Sequence, residues 1–453
     1  MLEATNKLRE TSIKKLFISY LIPSVLGMLL MSINILVDGI FVSHGVGEEG
    51  LAGVNIAVPV FSIFLSISLW IGMGGATLYS ISLGENNYRK AQTIFSQSFT
   101  LAILIVGILS ILSLWKETEI AYLFGANEHI LPYVLEYLHI ILVYGILFVF
   151  ENILSIFVRN DGNPRLAMIG LMTTALTNIL LNYIFIFILE MGVSGAAYAT
   201  ALSAGIGFLV LTLHFLKKDR VLKFVRFKFR YSIVTQILKI GFPSFIVESS
   251  AAILTMGYNI SFMHFIGEVG VTSFAVVNYI HAMFIMLFFG VGAALQPLAS
   301  FHYGAGLFKR LEGLLKLTVK TGFILGVAIL LIGWLFSNQL AALFGVQTKE
   351  VIEFTVKGIA LFFISYLFLG YNMVYVEYFQ ATRKIRLAVI IVLLRILLLM
   401  PMLWILPTLF EASGIWLAFP ISEAITASLI YLWNRKHKPV PRAINGKIEF
   451  ANN

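Results

Sequence analysis

No cysteine occurs anywhere in the chain, which excludes disulfides, thiol catalysis and thiolate metal sites and leaves the redox compartment open. Charge is scarce too. Only 12% of the 453 residues are Asp, Glu, Lys or Arg, about half the share usual in soluble domains. There is no Walker loop, no Ser-His-Asp arrangement and no zinc-ligand spacing, and the eight histidines form no metal constellation. ATP hydrolysis and enzymatic chemistry therefore have no support. Apolar residues are what the chain has in excess, at 59%. A water-soluble fold with so large a core would have no polar shell left to cover it, so the bilayer is the solvent.

Twelve apolar runs are long enough to span, six between residues 16 and 216 and six between 236 and 433. Only helices or closed barrels satisfy the backbone in lipid, and runs of this length are helical. The first fifteen residues are polar, with Lys7, Arg9, Lys14 and Lys15. The apolar run after them is too long for a signal-peptide core, so it reads as a retained first span. The formal net charge of +9 could suggest a nucleic-acid partner, but its distribution is that of a membrane protein. Basic residues fall in alternate connections: Arg89-Lys90, Arg159 with Arg165, Lys217 to Arg230, Lys309-Arg310, Arg383 to Arg386, and Arg435 to Lys447. By the positive-inside rule both termini are expected in the cytoplasm, which requires an even number of spans.

Sliding the chain on itself by 220 residues brings Pro23-Ser24 onto Pro243-Ser244, Gly47-Glu48 onto Gly267-Glu268, and Gly84 onto Gly304. Leu123-Phe124-Gly125 falls on Leu343-Phe344-Gly345. At an offset of 221, Arg165-Leu166-Ala167 meets Arg386-Leu387-Ala388, and at 219 Ser194-Gly195 meets Ser413-Gly414. A run of matches with so small a drift is a duplication. The expected layout is a six-helix lobe over 1–216, a basic cytoplasmic linker over 217–235, a second six-helix lobe over 236–433, and a cytoplasmic tail over 434–453. Equal orientation of the halves suits a transporter that works by alternating access.

Ionisable side chains inside a span are costly and mark either function or a partner. Asp38, fifteen residues after Pro23, is the most informative. Pro23 removes a backbone hydrogen bond and is expected to kink the first helix, and a carboxylate shielded beyond it is poised to exchange protons. The alternative is an interfacial carboxylate facing headgroup water. Thr174, Asn178 and Asn182 recur every four residues on one face of the fifth segment, and Thr200 lies in the sixth. They would form either a polar cluster with Asp38 or interhelical packing contacts. In the second half Tyr258 occupies the place of Asp38. Arg395 and Glu423 are expected to pair structurally, His281 reads as a packing histidine, and Glu248 is either a substrate carboxylate or an interhelical contact. Glu151, near the inner end of the fourth segment, is expected to meet cytoplasmic water or Arg159.

With these residues in hand, the chain resembles the multidrug and toxic compound extrusion (MATE) transporters, nearest to their prokaryotic DinF-like branch. The likeness rests on Pro23, on Val37-Asp38-Gly39-Ile40-Phe41-Val42, and on Leu83-Gly84-Glu85-Asn86-Asn87-Tyr88-Arg89-Lys90-Ala91. It continues in Asn178 to Phe187, Gly192 to Thr200, Gly241-Phe242-Pro243 and Gln380-Ala381-Thr382. The resemblance implies an all-α polytopic membrane protein of twelve transmembrane helices in two pseudo-symmetric six-helix lobes, the MATE/MOP-type fold. It implies a cation-coupled antiporter in the cytoplasmic membrane that exports amphipathic, often cationic drugs, with no cofactor, no nucleic-acid partner and a monomeric state.

Carried over by position, the ion-coupling network would be Asp38, Asn178, Asn182 and Thr200, with Asn34, Thr174 and Glu248 at the substrate cavity and Pro23 as the helix kink. Family members with a sodium-type network often have Asp where this chain has Asn182. A lone carboxylate suits H+ better than Na+, because hard cations favour charged oxygen ligands. Two alternatives stand beside this reading. One is a flippase for lipid-linked saccharides or wall precursors from the same superfamily, disfavoured because Arg395 is the chief intramembrane arginine. The other is a membrane receptor or assembly protein, disfavoured by the lobed repeat.

Overall fold

The computed structural model describes residues 2–342, 348–437, 439–440, 442–444 and 447–449. The spans, labelled in chain order, are α1 Ile13–Gly47, α2 Glu49–Gly84, α3 Tyr88–Trp115, α4 Leu131–Asn160, α5 Pro164–Ile188 and α6 Gly192–Leu216. They continue as α7 Tyr231–Phe265, α8 Glu268–Gly304, α9 Phe308–Leu335 and α10 Lys349–Ala381. The last long helix, Ile385–Lys436, breaks at Phe410 and Glu411, which divides it into α11 (385–409) and α12 (412–436). Twelve spans result among the described residues. Short helices at Leu2–Glu10, Glu117–Leu123 and Ser337–Ala342 accompany them. Two strands, β1 Arg442–Ile444 and β2 Lys447–Glu449, pair antiparallel after α12, with Ala443 opposite Ile448.

The polar breaks that end these helices follow local chemistry. Asn87 and Asn163 cap α3 and α5, their side chains accepting from Lys90 N at 3.1 Å and Leu166 N at 3.4 Å. Pro164 then starts α5, where its missing N–H has no intrahelical partner to lose. α1 runs through Pro23 without losing helical dihedrals, and the sole non-helical residue between Ile13 and Gly84 is Gly47.

Backbone conformation repeats along with sequence. Left-handed φ values occur at Gly47 and Gly267 (84° and 85°), at Asn86 and Gly306 (58° and 67°), at Gly162 and Arg383 (86° and 61°), and at Glu190 and Glu411 (both 52°). Each pair is separated by 220 or 221 positions. A duplicated chain turns its corners at the same places. The Leu343-Phe344-Gly345 half of the repeat lies outside the described residues.

The chain divides into two compact units, Met1–Phe245 and Ile246–Asn453, so the boundary falls inside α7. Within the first unit, the opening turns of α7 lie directly on α2. Trp70 Nε1 donates to Leu238 O at 2.7 Å, and a β-carbon on Gly74 or Gly241 would overlap the facing backbone. The α4–α5 turn is tied to the segment after α6 by Asp161. Its carboxylate accepts from the Tyr79 hydroxyl at 2.6 Å and from Leu222 N at 3.1 Å, and it meets His214 Nε2 at 2.7 Å. The second unit is built around a fully buried aromatic core that includes Tyr258, Phe262, Phe274, Phe288, Tyr366 and Trp416.

Candidate functional site

α1 brings Asp38 against the last α-helical turn of α5. Asn182 Nδ2 donates to Asp38 Oδ1 at 2.6 Å and to Asn178 Oδ1 at 3.1 Å. Asn34, one turn before Asp38, donates from Nδ2 to the same Asn178 oxygen at 2.7 Å and to Ala175 O at 3.3 Å. Asn178 Nδ2 reaches Thr200 Oγ1 on α6 at 3.4 Å, and Thr200 donates to Ala196 O at 3.0 Å. Tyr137 of α4 is buried beside this network. Three helices, α1, α5 and α6, thus supply one connected network around a single carboxylate, and Asn34, placed by sequence at a substrate cavity, is one of its members.

Direction within the network matters. An ionised carboxylate only accepts, and here the Asn182 amide turns its N–H groups to Asp38, which leaves its own buried Oδ1 without a hydrogen bond. That orientation follows from the hydrogen-bond partners on offer. Immediately after Asn182 the backbone widens into a π-helical turn, Tyr183–Ile188, with Leu189 N bonded to Ile184 O at 2.9 Å. Such turns cluster at functional sites because they re-aim side chains within a helix. Sequence reading missed the turn, since an unbroken apolar run, Tyr183-Ile-Phe-Ile-Phe-Ile188, carries no punctuating residue.

Thr174 stands apart from this network. Its hydroxyl donates to Glu151 Oε1 and also to Gly170 O at 3.2 Å. The expectation that Glu151 meets cytoplasmic water or Arg159 is corrected: Glu151 is 2% exposed, and Thr174 is its hydrogen-bond partner. Gly207 of α6 makes the room, because a β-carbon there would collide with both side chains. Thr174 and Asn178 are one turn apart on α5. The Asp38 network and the Glu151 pair therefore occupy successive depths on one helix face.

The second unit has no copy of this arrangement. The repeat sets Tyr258 in place of Asp38, Leu399 and Leu403 in place of Asn178 and Asn182, and Phe419 in place of Thr200, and all four are buried. Tyr258 Oη accepts from Phe419 N at 3.1 Å. Deeper in the unit, Arg395 Nε donates to Glu423 Oε1 at 2.6 Å while Asn372 Nδ2 donates to Glu423 Oε2 at 2.7 Å, a closed ion pair. His281 Nδ1 lies 2.9 Å from the Tyr366 hydroxyl. Glu248 is partly buried on α7. No cluster of three or more His, Cys, Asp or Glu side chains suited to a metal ion occurs among the described residues.

The MatE family profile matches residues 23–184 and, separately, 243–405, one match in each half of the repeat. The chain belongs to the MatE family. Membership makes this MatE chain a membrane transporter and not an enzyme. It is 24% identical over 425 residues to a Staphylococcus saprophyticus protein named multidrug export protein MepA, with 92% of each chain covered. To the Bacillus subtilis probable multidrug resistance protein YoeA it is 24% identical over 450 residues, covering 95% of this chain and 96% of that one. Among solved structures it is similar to an outward-facing multidrug resistance MATE family transporter of the MOP superfamily, with a TM-score of 0.90 and 25% identity over 95% of this chain and 97% of the other. A MOP superfamily transporter from Pyrococcus furiosus, described by the reverse polarity of its binding pocket, matches with a TM-score of 0.88 and 25% identity, again covering 95% and 97%.

Proposed function

We propose that the chain is a proton-coupled antiporter of the DinF-like branch that exports amphipathic organic cations across the cytoplasmic membrane, as a monomer with both termini cytoplasmic. One observation carries the reading: Asp38 is the lone carboxylate of a network whose other members, Asn34, Asn178, Asn182 and Thr200, are neutral. Protonation gives Asp38, until then only an acceptor, an O–H to donate. The Asn182 amide can then rotate to offer its otherwise unbonded oxygen to that O–H, which withdraws its N–H from Asn178 and rearranges the polar contact between α1 and α5. A proton thus biases the packing of α1, with Pro23 as the point where the helix lacks a backbone hydrogen bond and can bend.

Coupling requires only that proton and drug differ in affinity between two states of the protein. Proton rather than sodium is favoured because the network supplies one charged oxygen, whereas a bare alkali cation prefers several. Ethidium efflux from inverted vesicles tests this. An imposed proton gradient is expected to drive efflux and a sodium gradient at fixed pH is not; the opposite result overturns proton coupling. A cargo of lipid-linked saccharide with no ethidium movement would favour the flippase reading.

Glu151 serves as a second protonatable group in series with Asp38, on the side of the first unit that carries the basic connections. Gln at position 151 still accepts from Thr174, so Glu151→Gln is expected to fold normally. Efflux should slow about fivefold, the scale of a coupling near 1 kcal/mol. An unchanged rate and pH profile would remove Glu151 from the proton route.

A further inference from the structure

The two units differ at a second place where the repeat predicts likeness. In the first unit, the groove between α3, α4 and α6 is filled by the segment that follows α6. Phe224 packs on Phe95 with ring centroids 4.7 Å apart and edge-on against Phe99 at 5.3 Å. Val225 N donates to Ser96 Oγ at 3.0 Å, and Gln92 Nε2 donates to Val221 O at 3.1 Å. Val221 and Leu222 are buried. The groove is closed by the chain itself.

In the second unit the matching space, between α9, α10 and α12, is an open cavity of about 1610 Å³. It exceeds the roughly 300–1,000 Å³ typical of small-molecule pockets. Leu315 and Val319 on its wall fall on Phe95 and Phe99 at the 220 offset, and Ala427 falls on Phe208 at 219. Smaller residues thus stand where the first unit has aromatic ones. Val440, which lines the cavity, falls on the buried Val221 at an offset of 219. Tyr378 Oη and Lys384 Nζ donate to Pro439 O at 3.3 and 3.0 Å, which ties Pro439 to α10 and to the turn that follows it.

Charge has changed along with volume. Lys316 and Lys320 replace Ser96 and Thr100, and Lys309 lies two turns earlier on the same face of α9. All three are exposed and line the cavity, opposed by Glu312, which pairs with Lys316 at 2.7 Å. Beneath the lysines the wall is apolar and aromatic, with Phe323, Leu367, Phe368 and Leu432. The cavity lies at the end of the unit that bears the basic connections. A cationic rim above an apolar slot between spans is the form of an anionic-lipid site, and long lysine stems let ammonium groups reach the headgroup level.

We propose that this groove holds an anionic phospholipid, its acyl chains in the slot and its phosphate at Lys309, Lys316 and Lys320. The lipid does in the second unit what Phe224 and its neighbours do in the first. The test uses the full chain purified in detergent, titrated with phosphatidylglycerol or phosphatidylcholine and read by native mass spectrometry. Phosphatidylglycerol is expected to be retained preferentially. Replacing Lys316→Ser and Lys320→Thr together, which restores the first unit's residues, should weaken that retention about thirtyfold and leave phosphatidylcholine unaffected. Ala427→Phe, which refills the slot from the side, should displace the lipid without touching a lysine. Equal retention of both lipids, or full retention by the lysine variant, overturns the proposal. So does competition by inorganic phosphate alone, which would mean a simple anion site. A truncation after Val440 is expected to leave retention unchanged; a sharp rise would make the chain's own tail the occupant and overturn the proposal as well.

Discussion

Asp38→Asn is expected to abolish efflux, by on the order of a hundredfold, the scale of a coupling near 3 kcal/mol, while the protein still folds. The substitution is nearly isosteric. The new amide oxygen can accept from Asn182 as the carboxylate does at 2.6 Å, so the bonds to Asn178, Asn34 and Thr200 can persist. What is lost is the ability to alternate between acceptor and donor. Efflux of ethidium from vesicles, beside a thermal melt of the purified variant, separates the two effects. Wild-type efflux by the variant would end the proton-coupling mechanism, and a collapsed melt would assign Asp38 a structural role.

Arg395→Met is expected to have the largest effect on stability, about 3–5 kcal/mol, because it strands a charge. Glu423 is fully buried, and among the described residues Arg395 is its cationic partner, at 2.6 Å. Asn372 would remain as a partner, and an amide N–H does not balance a full negative charge in an apolar interior. The double variant Arg395→Met with Glu423→Leu should regain most of the loss, since an apolar pair of similar volume removes the uncompensated charge. Thermal melts of the single and double variants read the difference directly. A single variant that melts with the wild type would mean that the pair contributes little. Efflux by a refolded double variant would further show that the pair is structural rather than part of transport.

The fold was legible because lipid imposes it. Each span had to be a long apolar run, and the repeat supplied both the number of spans and their corners: Gly47 and Gly267 bend where the matched sequences coincide. Lateral position was legible too, since Asn178 and Asn182 share a face of α5 and both join the Asp38 network. Depth was not. Thr174 lies on the same face but eight residues before Asn182, about 12 Å along the helix axis, and so meets Glu151 at another level. Glu151 itself looked terminal by its distance from Arg159 along the sequence. Only the helices packed around it, and the space left by Gly207, reveal how completely it is enclosed.

That the second unit replaces the polar cluster with Tyr258, Leu399, Leu403 and Phe419 has an electrical consequence. If Asp38 is the one proton relay, as proposed, each turnover would import a single proton against a singly charged cargo, and no net charge would cross the membrane. Voltage then neither drives nor opposes such exchange, and the pH difference alone sets how far a monovalent cation can be cleared. For a divalent cargo the balance tips, and export would work against a negative-inside potential.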